Sequence, residues 1–364
     1  MTPADGPEIE PLQQRSTTAK SNKRPHLLTA RTRRSFFKSA MGALAASTVF
    51  SNIPAHAVPA LPGPRVPTGA KLRGLNHVGS FEQDYQDTIW GGFWRTWDWS
   101  NWIRPQMEDI AKVANSVRFW GNTLPIADGS VSLDEYLGRW EQVLNLAREL
   151  GLYVYPCGGD LRHWGDFSWK QSTQTYAVWS QLLAEYNNVI GVDITNEASD
   201  TLQSEPSRYS YRESEPADRL LEKLSDLVRR QGIPVTHSRS IRQKAGWTSA
   251  YFTDYLADFL DFHVYYPAAA NDSADAYRQP WGEGKELIIG EFGKDTEVPS
   301  SVRTDYYDKI RAMCVSDSRC KGAFAWSAWD LGPAEPTQWG LFDGHRQLRS
   351  DIGDAFLSFP TKDP

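Results

Sequence analysis

The sequence predicts an α/β fold, a single-domain (β/α)8 TIM barrel, on three observations. From residue 71 onward, eight short apolar runs alternate with longer amphipathic stretches. Eight is the strand number that closes such a barrel. The first turn, Gly74-Leu75-Asn76-His77-Val78-Gly79, lacks the G-x-G-x-x-G spacing that a doubly wound open sheet uses to cradle a dinucleotide.

The runs are Lys71–Asn76, Ser116–Trp120, Leu152–Pro156, Val189–Ile194, Pro234–Ser238, Phe259–Val264, Glu286–Gly290 and Gly322–Trp326. Helices are expected between them at Pro105–Ala114, Ser132–Leu150, Thr173–Tyr186, Pro216–Gln231, Ser249–Ala257 and Ser301–Val315, with Ser350–Phe359 closing the barrel. Pro105 suits a helix start, because its φ is preset and its missing donor is not needed there. Gly151 suits a helix C-terminus, and Arg229-Arg230 before Gly232 suits the negative end of another. The catalytic barrel is assigned to residues 71–364, and the Pro-rich stretch 58–70 to an extended tether.

Charge is uneven along the chain. Of 39 basic and 45 acidic residues, eight and three fall within residues 1–57, so residues 58–364 carry about −11. A body this acidic excludes a nucleic-acid partner. Thr32-Arg33-Arg34-Ser35-Phe36-Phe37-Lys38 resembles a twin-arginine export motif. A short apolar stretch from Ser39 to Phe50 and an Ala55-His56-Ala57 cleavage site follow it. Residues 1–57 are therefore expected to be a signal peptide, with the export machinery as partner and a periplasmic or secreted destination. The stretch is too short to stay in a bilayer as a helix, and no later one is long enough. Cys314 and Cys320 are close enough in sequence to form a local disulfide or to remain two thiols, and Cys157 reads as a buried free thiol.

Barrel enzymes carry their reacting groups at the C-terminal ends of the strands. Polar residues at those positions are Asn76 and His77, Arg118, Asp160, Asn196 and Glu197, His263 and Tyr265, Glu291, and Trp326. Glu197 and Glu291 emerge directly from apolar runs, on strands four and seven. Those strands lie on opposite sides of an eight-stranded barrel, so the two carboxyl groups can face one another across its mouth. Glycosidic hydrolysis needs such a pair, one to protonate the leaving oxygen and one to meet the oxocarbenium-like carbon.

In order, Gly74-Leu75-Asn76, Arg118, Asn196-Glu197, His263-Val264-Tyr265, Gly290-Glu291-Phe292-Gly293 and Trp326 resemble the clan A glycoside hydrolases, closest to family 5, the cellulase family. The series covers residues 71–330. The resemblance implies that Glu197 is the acid/base, protonated at rest, and Glu291 the ionised nucleophile of a retaining double displacement. It implies that Arg118 and Tyr265 hold Glu291, Asn196 reaches the sugar 2-hydroxyl, His263 orients the acid/base, and Trp326 faces the sugar. The implied substrate is a β-glucan or β-mannan, with no metal and no cofactor. The family's histidine at the end of strand three is missing here, where Pro156-Cys157-Gly158-Gly159-Asp160 stands, with His163 and Trp164 shortly after.

The densest aromatic run, Trp90 to Trp102, falls in the loop after strand one. Trp94 and Trp97 are the candidate sugar platforms, against the alternative that the loop packs down as a satellite core. Two other functions compete. A carbohydrate-binding protein on an inactive barrel would lack turnover, and a metal-dependent hydrolase would need H-x-H or H-E-x-x-H ligand spacing, which does not occur.

Overall fold

A computed structural model describes residues 61, 63–78, 93–121, 123–127, 129–159, 169–197, 217–241, 257–265, 284–330 and 338–362. Residues 1–57, expected to be a signal peptide, most of the helix expected at Ser249–Ala257, and Trp90, Asp160, His163 and Trp164 lie outside the described residues. Residues 57–364 form one compact unit.

The strands are β1 (Leu72–His77), β2 (Ser116–Trp120), β3 (Tyr153–Cys157), β4 (Val192–Asp193), β5 (Val235–Thr236), β6 (Arg239–Ile241), β7 (Leu260–Val264), β8 (Leu287–Phe292) and β9 (Cys320–Ala325). All pair in parallel, in the order β5-β4-β3-β2-β1-β9-β8-β7-β6. Both ends of that order are pieces of one barrel strand. β5 pairs with β4 through Val192–Val235, and β6, three residues further on, pairs with β7 through Arg239–Phe262. The expected run Pro234–Ser238 is thus broken in the middle and extended, and eight strand positions close the barrel.

Helices α1 (Arg104–Val113), α2 (Leu133–Glu149), α3 (Trp169–Ala184), α4 (Ala217–Arg229), α5 (Ser300–Ser316) and α6 (Ser350–Leu357) fall where the amphipathic stretches predict them. Local chemistry sets their ends. Pro105 sits in the first turn of α1, which follows a five-residue π-helical turn at Trp99–Ile103. Ser132 caps α2 by accepting from the Glu135 N–H at 3.2 Å. Gly151 follows α2 at φ 72°, a left-handed conformation that costs glycine little. No described helix is long and apolar enough to cross a membrane.

The barrel interior is layered. Leu72, Ile190, Phe259 and Ile288 form a floor with Tyr155 and Phe324 above it, and Val66 packs against this cluster. The stretch read as a tether is therefore packed where it is described. The Arg65 N–H donates to Ile190 O at 2.6 Å, and the Leu61 N–H donates to Asp258 Oδ1 at 2.8 Å. Above the floor, the inward positions turn polar. Asn76, Arg118, Asp193, His263 and Glu291 are all buried, and they make the site. The three cysteines are free thiols, all buried.

Candidate active site

Arg118 is the hub. It projects inward from β2 with no exposed side-chain surface. Its Nη1 donates to Glu291 Oε1 at 2.6 Å and to Asn76 Oδ1 at 2.8 Å. Its Nη2 donates to Asp193 Oδ2 at 2.6 Å and to Asn196 Oδ1 at 2.8 Å, with Cys157 Sγ at 3.3 Å. A buried cation of this kind needs such partners, and here both terminal nitrogens have them while Nε makes no hydrogen bond. Burial alone would lower the Arg118 pKa, but Glu291, Asp193 and Asp261 overcome that and hold it well above the ordinary arginine value.

Glu291 lies on β8, 3% exposed. Its second oxygen accepts from the Tyr265 hydroxyl at 2.5 Å. Burial raises its pKa, Glu197 adds to the rise, and His263, Arg118 and the Tyr265 bond oppose it, leaving the carboxyl above its usual range. Both donors favour the anion and offset part of the cost of burying it. Tyr265 itself stays a neutral phenol, pushed far upward by burial and by both glutamates.

Glu197 sits just beyond β4 at φ 45°, a left-handed conformation uncommon for a residue with a side chain. The pin that holds it is Ser238, whose Oγ accepts from the Glu197 N–H at 2.9 Å. The Ser238 N–H in turn donates to Asp193 Oδ1 at 3.0 Å. Asp193 therefore joins the arginine that holds Glu291 to the serine that holds Glu197.

His263 completes the cluster. Its Nδ1 lies 3.1 Å from Glu197 Oε1 and 3.4 Å from Glu291 Oε2. Donor atoms of Glu197, His263 and Glu291 all fall within 4.8 Å of one another. Burial would lower the His263 pKa, but Glu291, Glu197 and Asp261 raise it above the usual histidine value. The same three donors are close enough together to invite a cation, but Arg118 already puts a positive charge on Glu291 Oε1.

The structure thus brings together Glu197, Glu291, Arg118, Asn196, His263 and Tyr265. Trp326 is half-buried, with its ring 5.6 Å from that of Trp120, and its peptide bond to Ser327 is cis. The two loop tryptophans are placed differently. Trp94 is fully buried, donates through Nε1 to Trp120 O at 3.0 Å, and packs against Tyr136 and Trp140 of α2. It has no face left for a sugar, so the satellite-core alternative describes it. Trp97 is half-buried, stacked between Trp94 and Trp99, with Nε1 donating to Gln142 Oε1 on α2 at 3.1 Å.

Several residues escape the sequence reading. Asp193, Ser238 and Asp261 look like ordinary polar positions within strands. Trp339, half-buried, meets Tyr265 edge-to-face at 5.6 Å and is a ring at the site that no strand-end rule points to. Where the strand-three histidine is missing, Cys157 packs under Arg118, and Gly159 O accepts the Asn196 N–H at 2.7 Å.

No protein-family profile matches this chain, and no curated protein matches it in sequence. Solved structures match it in shape. The GH5_18 of Bifidobacterium longum subsp. infantis superposes with a TM-score of 0.60 at 15% identity, covering 82% of this chain and 80% of its own. A GH5_18 variant of Streptomyces cattleya in complex with Manβ1-4GlcNAc gives 0.60 at 15% identity, covering 80% of this chain and 83% of its own. The exo-β-1,4-mannosidase Op5Man5 of Opitutaceae bacterium strain TAV5 gives 0.57 at 15% identity, covering 79% of this chain and 58% of its own. At that identity the likeness is one of fold.

Proposed function

We propose that the protein is a retaining β-glycosidase in which Glu197 is the acid/base and Glu291 the nucleophile. The observation that carries this reading is that Glu197 and Glu291 each bring one carboxyl oxygen to within 4.8 Å of the other's, with His263 Nδ1 beside both. Retaining glycosidases hold their carboxyl groups about 5–5.5 Å apart, whereas inverting ones leave about 6.5–9.5 Å for a water.

In the first step a Glu291 oxygen attacks the anomeric carbon while the bond to the leaving oxygen breaks and takes the proton from Glu197. In the second, the Glu197 carboxylate takes a proton from water as the water oxygen attacks the same carbon, releasing Glu291 as a carboxylate. Arg118 and Tyr265 aim the nucleophile and disperse its charge. Asn196, which Arg118 holds, is the residue assigned to the sugar 2-hydroxyl. Trp326 and Trp339 flank the site as ring faces.

The substrate reading is a β-linked gluco- or manno-configured oligosaccharide or polysaccharide. The Manβ1-4GlcNAc complex and the exo-β-1,4-mannosidase among the structural neighbours put β-mannosides first in a screen. Export by the twin-arginine route is the accompanying proposal, supported by Arg33-Arg34 and Ala55-His56-Ala57. Replacing both arginines with lysine is expected to retain the protein in the cytoplasm, and N-terminal sequencing of the exported form is expected to begin at Val58.

The test of the function is Glu291→Gln assayed on aryl β-mannosides and β-glucosides, mannans and glucans. Hydrolysis is expected to collapse while substrate binding survives. A binding protein without turnover would show no hydrolysis in the unaltered chain either. Activity unchanged in the variant would overturn the assignment.

A further inference from the structure

Asp261 belongs to none of the roles above, yet it touches the site from beneath. It lies two residues before His263 on β7, so both side chains face the barrel interior. Both are buried, at 2% and 0% exposure. The imidazole is bracketed. Its Nδ1 edge faces the two glutamates, and its Nε2 lies 3.8 Å from Asp261 Oδ1 while making no hydrogen bond.

The carboxylate's own hydrogen bonds come from neutral donors. Tyr155 donates its hydroxyl to Oδ2 at 2.5 Å, and the Gly290 N–H donates to Oδ1 at 2.8 Å. Among the described residues, His263 is the basic side chain in ion-pair range of Asp261. Room for this carboxylate is built into the neighbouring strand. A Cβ on Gly290 would stand 2.2 Å from Asp261 Oδ1, so only glycine admits the contact there, one residue before Glu291. A buried carboxylate without a full cation of its own is costly, and pairing with an imidazolium offsets that cost.

We propose that Asp261 is a positioning residue: from below the site it fixes the orientation and charge of His263, and through it the proton balance between Glu197 and Glu291. The proposal rests on the glycosidase reading of those two glutamates. Glu197 changes protonation state twice in each cycle, and Glu291 loses its charge while it is esterified. Without Asp261, His263 would lose charge whenever the glutamates do. With Asp261 opposite, the ring keeps Nε2–H toward the interior and Nδ1–H toward the carboxylates through both steps. The groups that bear on His263 are Glu291, Glu197 and Asp261 on one sign and Arg118 on the other, with Asp193 also within reach. Their balance lifts the imidazole pKa above its usual value, in the direction that the geometry requires.

The test uses the full-length protein, unaltered and as Asp261→Asn, which keeps the shape and an acceptor for Tyr155 or Gly290. Proton–nitrogen NMR of the imidazole is recorded across pH, and kcat and KM are measured on p-nitrophenyl β-D-mannopyranoside and β-D-glucopyranoside. In the unaltered protein, His263 is expected to be doubly protonated at neutral pH. In the variant, its pKa and the alkaline limb of kcat are expected to fall by about one pH unit or more. The accompanying loss in kcat is expected to be on the order of 10-fold, with KM changed less than about two-fold. A neutral His263 at pH 7 in the unaltered protein overturns the proposal without any variant. An unmoved imidazole pKa and alkaline limb in Asp261→Asn overturn it too, leaving Asp261 a packing residue. The NMR reading does not depend on turnover, so failure of the glycosidase reading would show separately, as absence of hydrolysis.

Discussion

Arg118 reaches across the barrel to Glu291 at 2.6 Å, although 173 residues separate the two in sequence. The same guanidinium binds Asp193 and Asn196, so one buried cation sets both Glu291 and the approach to Glu197.

Removing that cation takes from the buried Glu291 and Asp193 carboxylates the guanidinium that pairs with both. Arg118→Met is expected to cost about 3–5 kcal/mol of unfolding free energy, the usual penalty for breaking a buried ion pair from one side. Chemical denaturation checks the stability and the aryl-glycoside assay checks turnover, which is expected to be abolished. Arg118→Lys is expected to fail as well, because an ammonium cannot span four acceptors as a planar fork does.

Tyr265→Phe tests the other contact to Glu291. Loss of a hydrogen bond to a charged group costs about 1.5–3 kcal/mol, which corresponds to a fall of roughly 10- to 150-fold in kcat/KM. A variant that keeps full activity would show that the Glu291 contact is incidental.

Trp94 and Trp339 are expected to differ in role. Trp94→Ala is expected to destabilise the fold by about 3–5 kcal/mol while leaving KM of the surviving folded protein unchanged. Trp339→Ala is expected to do the reverse, raising KM with little change in melting temperature. Thermal melts paired with steady-state kinetics separate the two.

The barrel was legible because its strands are short, apolar and regularly spaced, and because Glu197, His263 and Glu291 stand at strand ends, where chemistry is expected. The split fifth strand was less so. Thr236-His237-Ser238 is a polar interruption that reads equally well as a strand's end, and only pairing with both neighbours shows that the strand resumes at Arg239. Asp193 and Asp261 were hidden for a different reason. Alternation along a strand says which residues share a face, but not that the inner face of this barrel is charged above its floor. For Trp94, composition signalled aromatic surface and gave no sign of its orientation, and burial against α2 decided the matter.

Acid sensitivity follows from His237. Burial, with Arg229 and Arg239 nearby, depresses its pKa to about 3 from the ordinary 6.5. A histidine kept neutral in the fold contributes stability above pH 6.5, which is lost as pH falls from 6.5 toward 3, because the unfolded chain binds the proton more tightly. Between pH 7 and pH 4 the loss from this residue is about 3 kcal/mol, at 1.36 kcal/mol per pH unit. In His237→Gln that part of the dependence is expected to vanish, so the two stability curves should converge as pH falls. Parallel curves would show that His237 is not the sensor.

In a retaining mechanism Glu291 becomes covalently bonded to sugar. That bond is tested most directly by incubating the protein with an activated 2-deoxy-2-fluoro-β-glycoside of the hydrolysed sugar and mapping the adduct by peptide mass spectrometry. One sugar per chain is expected, on the peptide carrying Glu291, and none in Glu291→Gln. An adduct on another residue, or no adduct together with product of inverted configuration, would contradict that mechanism.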